Sequence, residues 1–169
     1  MPPIKLSELT NALEINSDEC VTRVDLQEGR VVTVDRSMLS ALEEGDEQAL
    51  HNLPDWQKEQ VEFARAIVEA SASRFVNAPD QFDFHEYRQM ERFIGTVANV
   101  EAAEQLWRAI KGKGAFRCFK DTASRLGLLQ RWYQYRDEAV KEFVVAWAEA
   151  NNVPYEDDIK DKEKLKAKG

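Results

Sequence analysis

The sequence predicts an α+β fold, a mainly helical single domain with one small antiparallel β-hairpin. Most apolar residues recur at the helical intervals of three and four, and only two short stretches are rich in β-branched residues. The 169 residues are 43% hydrophobic, which suffices for one core. We therefore expect a single compact domain over residues 1–155 and a charged, mobile C-terminal tail over residues 156–169.

The first elements along the chain are a helix and the hairpin. Three leucines at helical spacing place the helix at residues 5–14. Strands at 21–26 and 31–34 follow, and Gly29 between them supplies the positive φ of a tight turn. Two strands alone are marginal in water, so the hairpin must pack against helices or gain another strand. Its outer edges are where an extended partner would dock.

Six further helices are predicted, each from an apolar stripe and a residue that starts or ends a helix. The boundary signals are Asp35, Pro54, Asp83 with Glu86 as a capping box, Asn99, Gly112 with Gly114, and Gly127. The residues placed on the apolar stripes of their helices include Trp56, Tyr87, Val100, Trp107 and Phe116. The last helix is long and carries Trp132 on its apolar face.

Composition argues against several classes of function. No run of about 18 apolar residues occurs, so we expect a soluble, cytoplasmic protein without a membrane partner. Cys20 and Cys118 lack metal-ligand spacing and are interpreted as reduced core thiols, with no metal site and no cofactor. Two histidines and two scattered cysteines assemble no nucleophile with its base, so we expect no catalytic residue and favour a non-enzyme. A hydrolytic activity remains an alternative, because carboxylates can hold a divalent ion. The carboxylates available for this are Glu86, Glu91 and Asp121.

Charge is distributed unevenly along the chain. The net charge is −8, yet residues 1–80 have a balance of −9 and residues 81–155 a balance of +1. Within residues 105–136, eight cations accompany Asp121 alone, a local balance of +7. Such a surface either docks against the chain's own acidic half or binds an external anion.

The segment at 112–121 combines two glycines, three cations and a helix start. It is not a phosphate-binding P-loop, since neither Ser nor Thr follows Lys113. Arg117 and Lys120 lie in the first turns of a helix, where the dipole favours anions over cations. Such a broken local rule indicates a functional site. The candidate ligand-binding residues are Arg88, Lys113, Gly114, Arg117, Lys120 and Arg136.

Arg136 is also predicted to form an ion pair. Glu91 and Asp121 lie at the borders of apolar stripes, where an unpaired carboxylate is costly. We therefore expect one of these two acids to pair with Arg136. The neighbouring Glu86 is explained by the capping box alone.

Five segments together resemble an uncharacterised bacterial protein family numbered 0158. They are KLSEL at 5–9, EGRVV at 28–32, FDFHEYRQME at 82–91, GKGAFRCFKD at 112–121 and WYQYR at 132–136. The resemblance covers roughly residues 5–153 and implies a compact, mainly helical cytosolic domain with a hairpin. It implies no reaction, substrate or catalytic residue. Cys118 departs from the family pattern, where a second basic residue is expected.

Two functions fit these observations. The first is a non-enzymatic protein-interaction or regulatory domain with an unidentified protein partner, and we favour it. The second is a binder of a phosphorylated small ligand or a nucleic-acid backbone. We expect nucleic acid to bind weakly at best, because the acidic half repels phosphates beyond the basic segment. Binding of a phosphate-type anion and formation of a homo-oligomer both remain possible alternatives.

Overall fold

The computed structural model describes residues 1–15, 18–70 and 73–159, and it confirms the α+β fold. The helices are α1 Leu6–Glu14, α2 Arg36–Glu43, α3 Asp55–Glu69, α4 Gln81–Phe84, α5 Glu86–Ile94, α6 Val100–Ala109, α7 Ala115–Arg125 and α8 Leu129–Ala150, with a 3₁₀ turn at Gln48–Leu50. The strands are β1 Ile4–Lys5, β2 Cys20–Asp25, β3 Arg30–Asp35, β4 Phe75–Asn77 and β5 Tyr155–Glu156. Within these described ranges, no helix has the length and apolarity needed to cross a membrane.

The chain divides into two compact units. Among the described residues, the sheet unit comprises those of 1–80 and 144–159, and the helical unit comprises Gln81–Phe143. Helix α8 contributes residues to both units. The predicted division into one domain over residues 1–155 and a mobile tail over residues 156–169 stays a prediction.

The predicted hairpin is present and carries a third strand. The strand order is β3-β2-β4, and both neighbours run antiparallel to β2. Gly29 has a φ of 67°, and a Cβ there would lie 2.7 Å from the Pro2 carbonyl oxygen, so the turn requires glycine. Strand β4 was not predicted from the sequence, because three residues are too few to show a periodic pattern. It supplies the additional strand that the isolated hairpin needs.

Asp25 joins the hairpin to β4. Its side chain is 1% exposed, and both of its oxygens accept hydrogen bonds from Arg74 at 3.0 Å. One oxygen also accepts from the amides of Gln27 and Glu28 in the turn. Burial by itself raises the pKa of Asp25, but these hydrogen bonds and the Arg74 charge outweigh it and hold the pKa below its ordinary value.

The edge of β3 is covered by α1. The Val31 amide donates a hydrogen bond of 3.1 Å to the Glu8 carboxylate. An edge amide is thereby satisfied by a side chain instead of by another strand. Part of the outer edge of β3 is therefore not accessible to an extended partner that would dock there.

The two ends of the sheet unit meet in a short parallel pair. Ile4 lies opposite Tyr155. Asp158 accepts a 2.9 Å hydrogen bond from the Ser7 amide at the start of α1, and the Ser7 hydroxyl donates to its other oxygen. Lys5, the N-cap, makes no capping bond with its own side chain, so Asp158 satisfies this helix start from 151 residues away. Glu156 and Asp158 of the expected tail thus belong to this contact, while residues 160–169 lie outside the described part of the chain.

Aromatic rings form the centre of the helical unit. Trp132 is 1% exposed, with its ring centroid 4.9 Å from Phe119 and 5.5 Å from Phe93. Tyr135 packs against the rings of Phe93 and Trp132. This cluster fixes α5, α7 and α8 against one another.

Tyr87 and Trp107, which were assigned to apolar stripes, are 40% and 37% exposed, and three further residues assigned to such stripes are exposed as well. Trp56 is 69% exposed, Val100 70% and Phe116 47%. Each is the first or second residue of its helix. Side chains point back toward the helix start, so those in the first turn extend past the layer that the helix buries. Cys118 is also exposed, and its interpretation as a core thiol was wrong.

Replacing Asp25 with Asn is expected to lower the free energy of unfolding by about 3 kcal/mol at neutral pH, because it leaves Arg74 without its carboxylate. Since the folded pKa of Asp25 is lowered, its contribution is complete above the unfolded pKa of about 3.9 and is lost as the pH falls through the folded value. Urea unfolding of both proteins across this range measures the difference. Asp137→Asn, at an exposed position of α8, is the control. A constant difference between pH 7 and acid would contradict this account.

Replacing Asp158 with Asn is expected to cost about 1 kcal/mol, since a helix start loses its carboxylate cap. Chemical denaturation is the measurement, and Glu156→Gln on the exposed neighbour is the control. Equal stabilities of the two variants would show that the contact with Ser7 contributes nothing.

Candidate ligand-binding site on the helical unit

Four of the six candidate residues lie where the chain enters α7. Lys113 precedes Gly114, the N-cap, and Arg117 and Lys120 follow in the helix. Gly114 has a φ of 70°, the left-handed conformation that glycine adopts without strain. Neither a capping side chain nor an acidic residue is present in this first turn. The start of α7 thus combines free helix amides with nearby cations.

Gly112 does not have the role predicted for it. Helix α6 ends at Ala109 with Ile110 as its C-cap, two residues before Gly112. The last turn closes through Lys111, whose amide donates to the Arg108 carbonyl. The positive φ lies at Gly114. Of the two glycines in the segment at 112–121, only Gly114 therefore has a backbone conformation that favours glycine.

Packing of α7 decides which of its cations are exposed. Phe119, Thr122 and Ala123 are buried, so the opposite side carries Arg117 and Lys120 into solvent. The Arg117 Nε lies 4.0 Å from a carboxylate oxygen of Asp121, and the two side chains are 90% and 76% exposed. An ion pair this exposed contributes little, so Arg117 is available to a ligand.

The other cations of residues 105–136 are four arginines that have an acidic or polar partner and three exposed lysines. The arginines and their partners are Arg108 with Glu104, an exposed pair like that of Arg117, Arg125 with Gln105, Arg131 with the Thr96 carbonyl and Arg136 with Glu86. Within the described residues, the exposed lysines make no ion pair; they are Lys111, Lys113 and Lys120. We call Lys111, Lys113, Arg117 and Lys120, with the exposed ring of Phe116, the basic edge.

Arg136 pairs with Glu86 and not with Glu91 or Asp121. Its Nε lies 2.6 Å from the Glu86 carboxylate, and the two side chains are only 15% and 20% exposed. The guanidinium also lies over the Phe84 ring, 6.0 Å from its centroid. The expected ion pair exists, but the acid predicted for it was wrong.

The reason lies in how α5 begins. The capping box placed the helix start at Asp83, whereas Asp83 lies inside α4. His85 separates α4 from α5 with a φ of 53°, and no side chain caps α5. Glu86 is therefore the first residue of α5 and is free to meet Arg136. A left-handed conformation is uncommon for a residue with a side chain, although histidine tolerates it better than most.

The start of α5 also contacts the end of α6. The Tyr87 hydroxyl donates a 3.0 Å hydrogen bond to the Ile110 carbonyl. This contact, which sequence spacing did not reveal, brings the turn that bears Glu86 beside the residue before Lys111. Arg88 is exposed on α5, and no contact among the described residues links it to the basic edge. The convergence of all five candidate cations on one anion stays a prediction.

Comparison with known proteins gives a family and one relative. The model of the Uncharacterised protein family (UPF0158) matches residues 1–166. The UPF0158 protein PA5073 of Pseudomonas aeruginosa is 31% identical over 65 residues, which are 38% of this chain and 42% of that protein. The chain therefore matches less than half the length of this relative. No solved structure matches.

A double-mutant cycle tests which acid holds Arg136. Glu86→Ala and Arg136→Ala are expected to be non-additive, with a coupling free energy of about 1 kcal/mol, because each side chain is partly buried. Glu91→Ala is the matched control and is expected to be additive with Arg136→Ala. Urea unfolding of the single and double variants gives the coupling. A larger coupling for Glu91 than for Glu86 would contradict the observed pairing.

Proposed function

We propose that this protein, which belongs to the Uncharacterised protein family (UPF0158), is a non-enzymatic protein-binding domain. Membership of this family implies no particular activity. Its basic edge docks an acidic segment of a partner protein. The observation that carries the proposal is the exposed group of cations around the start of α7, of which Arg117 alone has a carboxylate within 4.0 Å among the described residues.

The spread of the cations favours a polypeptide over a single small anion. Each charge of the basic edge stands in solvent, where one ionic contact contributes less than about 1 kcal/mol. Useful affinity therefore requires several contacts at once. An acidic segment supplies carboxylates along its length, and its complementary charge also accelerates association.

Phe116 gives the edge an apolar anchor point. Its ring is 47% exposed and lies one turn before Lys120 on the same side of α7. Aromatic side chains surrounded by charge are frequent centres of protein interfaces, because burying the ring adds hydrophobic free energy to the ionic contacts. We therefore expect the acidic segment to carry an apolar residue among its carboxylates.

A phosphate-type anion is the second candidate ligand, and one observation favours it. The first turn of α7 has neither a capping side chain nor an acidic residue, and Arg117 and Lys120 lie close in sequence to its amides. Helix amides, dipole and cations act on an anion together. This ligand engages the helix start, whereas an acidic segment also engages Lys111 and Phe116.

Reversing two charges tests the first candidate. The double variant Lys113→Glu/Lys120→Glu is expected to weaken binding of a synthetic Glu-rich peptide containing leucine by about tenfold. Amide chemical shifts followed by NMR during the titration give both affinity and location. Lys58→Glu, at an exposed lysine of α3, is the control and should bind like the wild type. Unchanged affinity in the double variant, or no binding by the wild type, would reject the proposal.

Binding of inorganic phosphate tests the second candidate ligand. If the wild type is stabilised by phosphate in thermal melts, if Arg117→Ala abolishes this shift, and if the acidic peptide does not bind, the second candidate replaces the first. Peptide binding without a phosphate-dependent shift supports the first candidate.

A further inference from the structure

Helix α6 exposes two large apolar side chains on one face. Val100 is 70% exposed and Trp107 is 37% exposed. Seven residues make almost two full helical turns, so both side chains lie on the same line along α6. Ala103 between them packs against the core, which places this line at the border of the buried face. The core of the helical unit covers neither side chain completely.

Charged side chains border this line in a definite order. Glu101, Glu104 and Arg108 are spaced by three and four residues, so they lie together on one flank. Glu104 and Arg108 are 60% and 76% exposed, with 3.8 Å between their charged atoms. The flank is thus acidic toward the start of α6 and basic toward its end. This order suits the helix dipole, but it also makes the face complementary to its own reversed copy.

We propose that α6 forms the interface of an antiparallel homodimer, with a second copy of this chain as the occupant of the exposed line. A two-fold axis beside residues 103 and 104 places Val100 against Trp107 of the second copy, and Trp107 against its Val100. The same operation brings Glu101 within two residues of the position opposite Arg108 of the second copy, an offset of about 3 Å along the helix that the long arginine side chain spans. Apolar side chains and charges are then matched twice, as in an isologous interface.

The size of the face sets the strength of this dimer. Helix α6 has 10 residues, which make a rod about 15 Å long. Stable interfaces bury about 1,600 Å² in total, and one helix crossing buries less. The dimer therefore dissociates on dilution, with Trp107 as its main anchor because tryptophan is enriched among the residues that dominate interface energy. This inference uses side chains outside the basic edge and does not rest on the proposed function.

Exchange of charges between two variants tests the interface. Sedimentation velocity of the full chain, from about micromolar to about millimolar concentration, is expected to show a reversible dimer. Glu101→Arg and Arg108→Glu should each weaken the dimer by about tenfold, because each sets like charges opposite each other at two symmetric positions. An equimolar mixture of the two variants should recover dimers, since both charge pairs become complementary in the heterodimer.

Apolar variants supply the second measurement. Trp107→Ala should remove the dimer, while Trp56→Ala, at a more exposed tryptophan on α3, should leave it intact. Circular dichroism melts establish that each variant is folded. A wild type that stays monomeric at the highest concentration overturns the proposal, and so does a mixture of the charge variants that stays monomeric. Binding of the acidic peptide by Trp107→Ala separates this inference from the function of the basic edge.

Discussion

A carboxylate enclosed by the sheet unit organises much of that unit. Asp25 at the end of β2 is 1% exposed, so its charge has to be balanced by nearby donors instead of water. The turn amides supply two hydrogen bonds and Arg74 supplies two more. Because Arg74 directly precedes β4, the same ion pair brings the third strand to the hairpin. Its guanidinium also lies over the Phe75 ring, which extends the contact to the apolar face of β4.

The helical unit separates apolar packing from charge, and its candidate site follows from that separation. Phe119 enters the aromatic cluster around Trp132, which fixes the rotation of α7 about its axis. Helical periodicity then leaves Arg117 and Lys120 outside, with Asp121 as the acid beside them. Arginines elsewhere in this unit satisfy carbonyls and carboxylates, as Arg131 and Arg136 do. The exposed lysines have no comparable structural role among the described residues, which is what makes them candidates for a partner.

Local signals predicted most elements, and two of the features they missed, strand β4 and the partner of Arg136, involve ion pairs between residues far apart in the chain. Asp35 and Asn99 were read correctly as N-caps, because a capping side chain meets an amide only two or three residues away. Strand β4 depends on a bond between residues 49 positions apart, and the role of Glu86 depends on one between residues 50 apart. Sequence spacing carries no information at that range. The local excess of positive charge in the sequence indicated Lys113, Arg117 and Lys120 as candidates. It did not single out Lys111, and it could not identify the partner of Arg136.

The two proposed surfaces have complementary physical consequences. A single basic edge offers exposed charges, each contributing less than about 1 kcal/mol, so one edge alone binds an acidic segment weakly. An antiparallel dimer through α6 presents two such edges, since Lys111 and α7 follow α6 directly in the chain. A partner with two acidic segments then binds its second edge as an intramolecular event, at an effective concentration set by the spacing of the segments. The dimer would therefore convert weak, salt-sensitive contacts into selective recognition of paired acidic segments, without requiring any deeper pocket at α7.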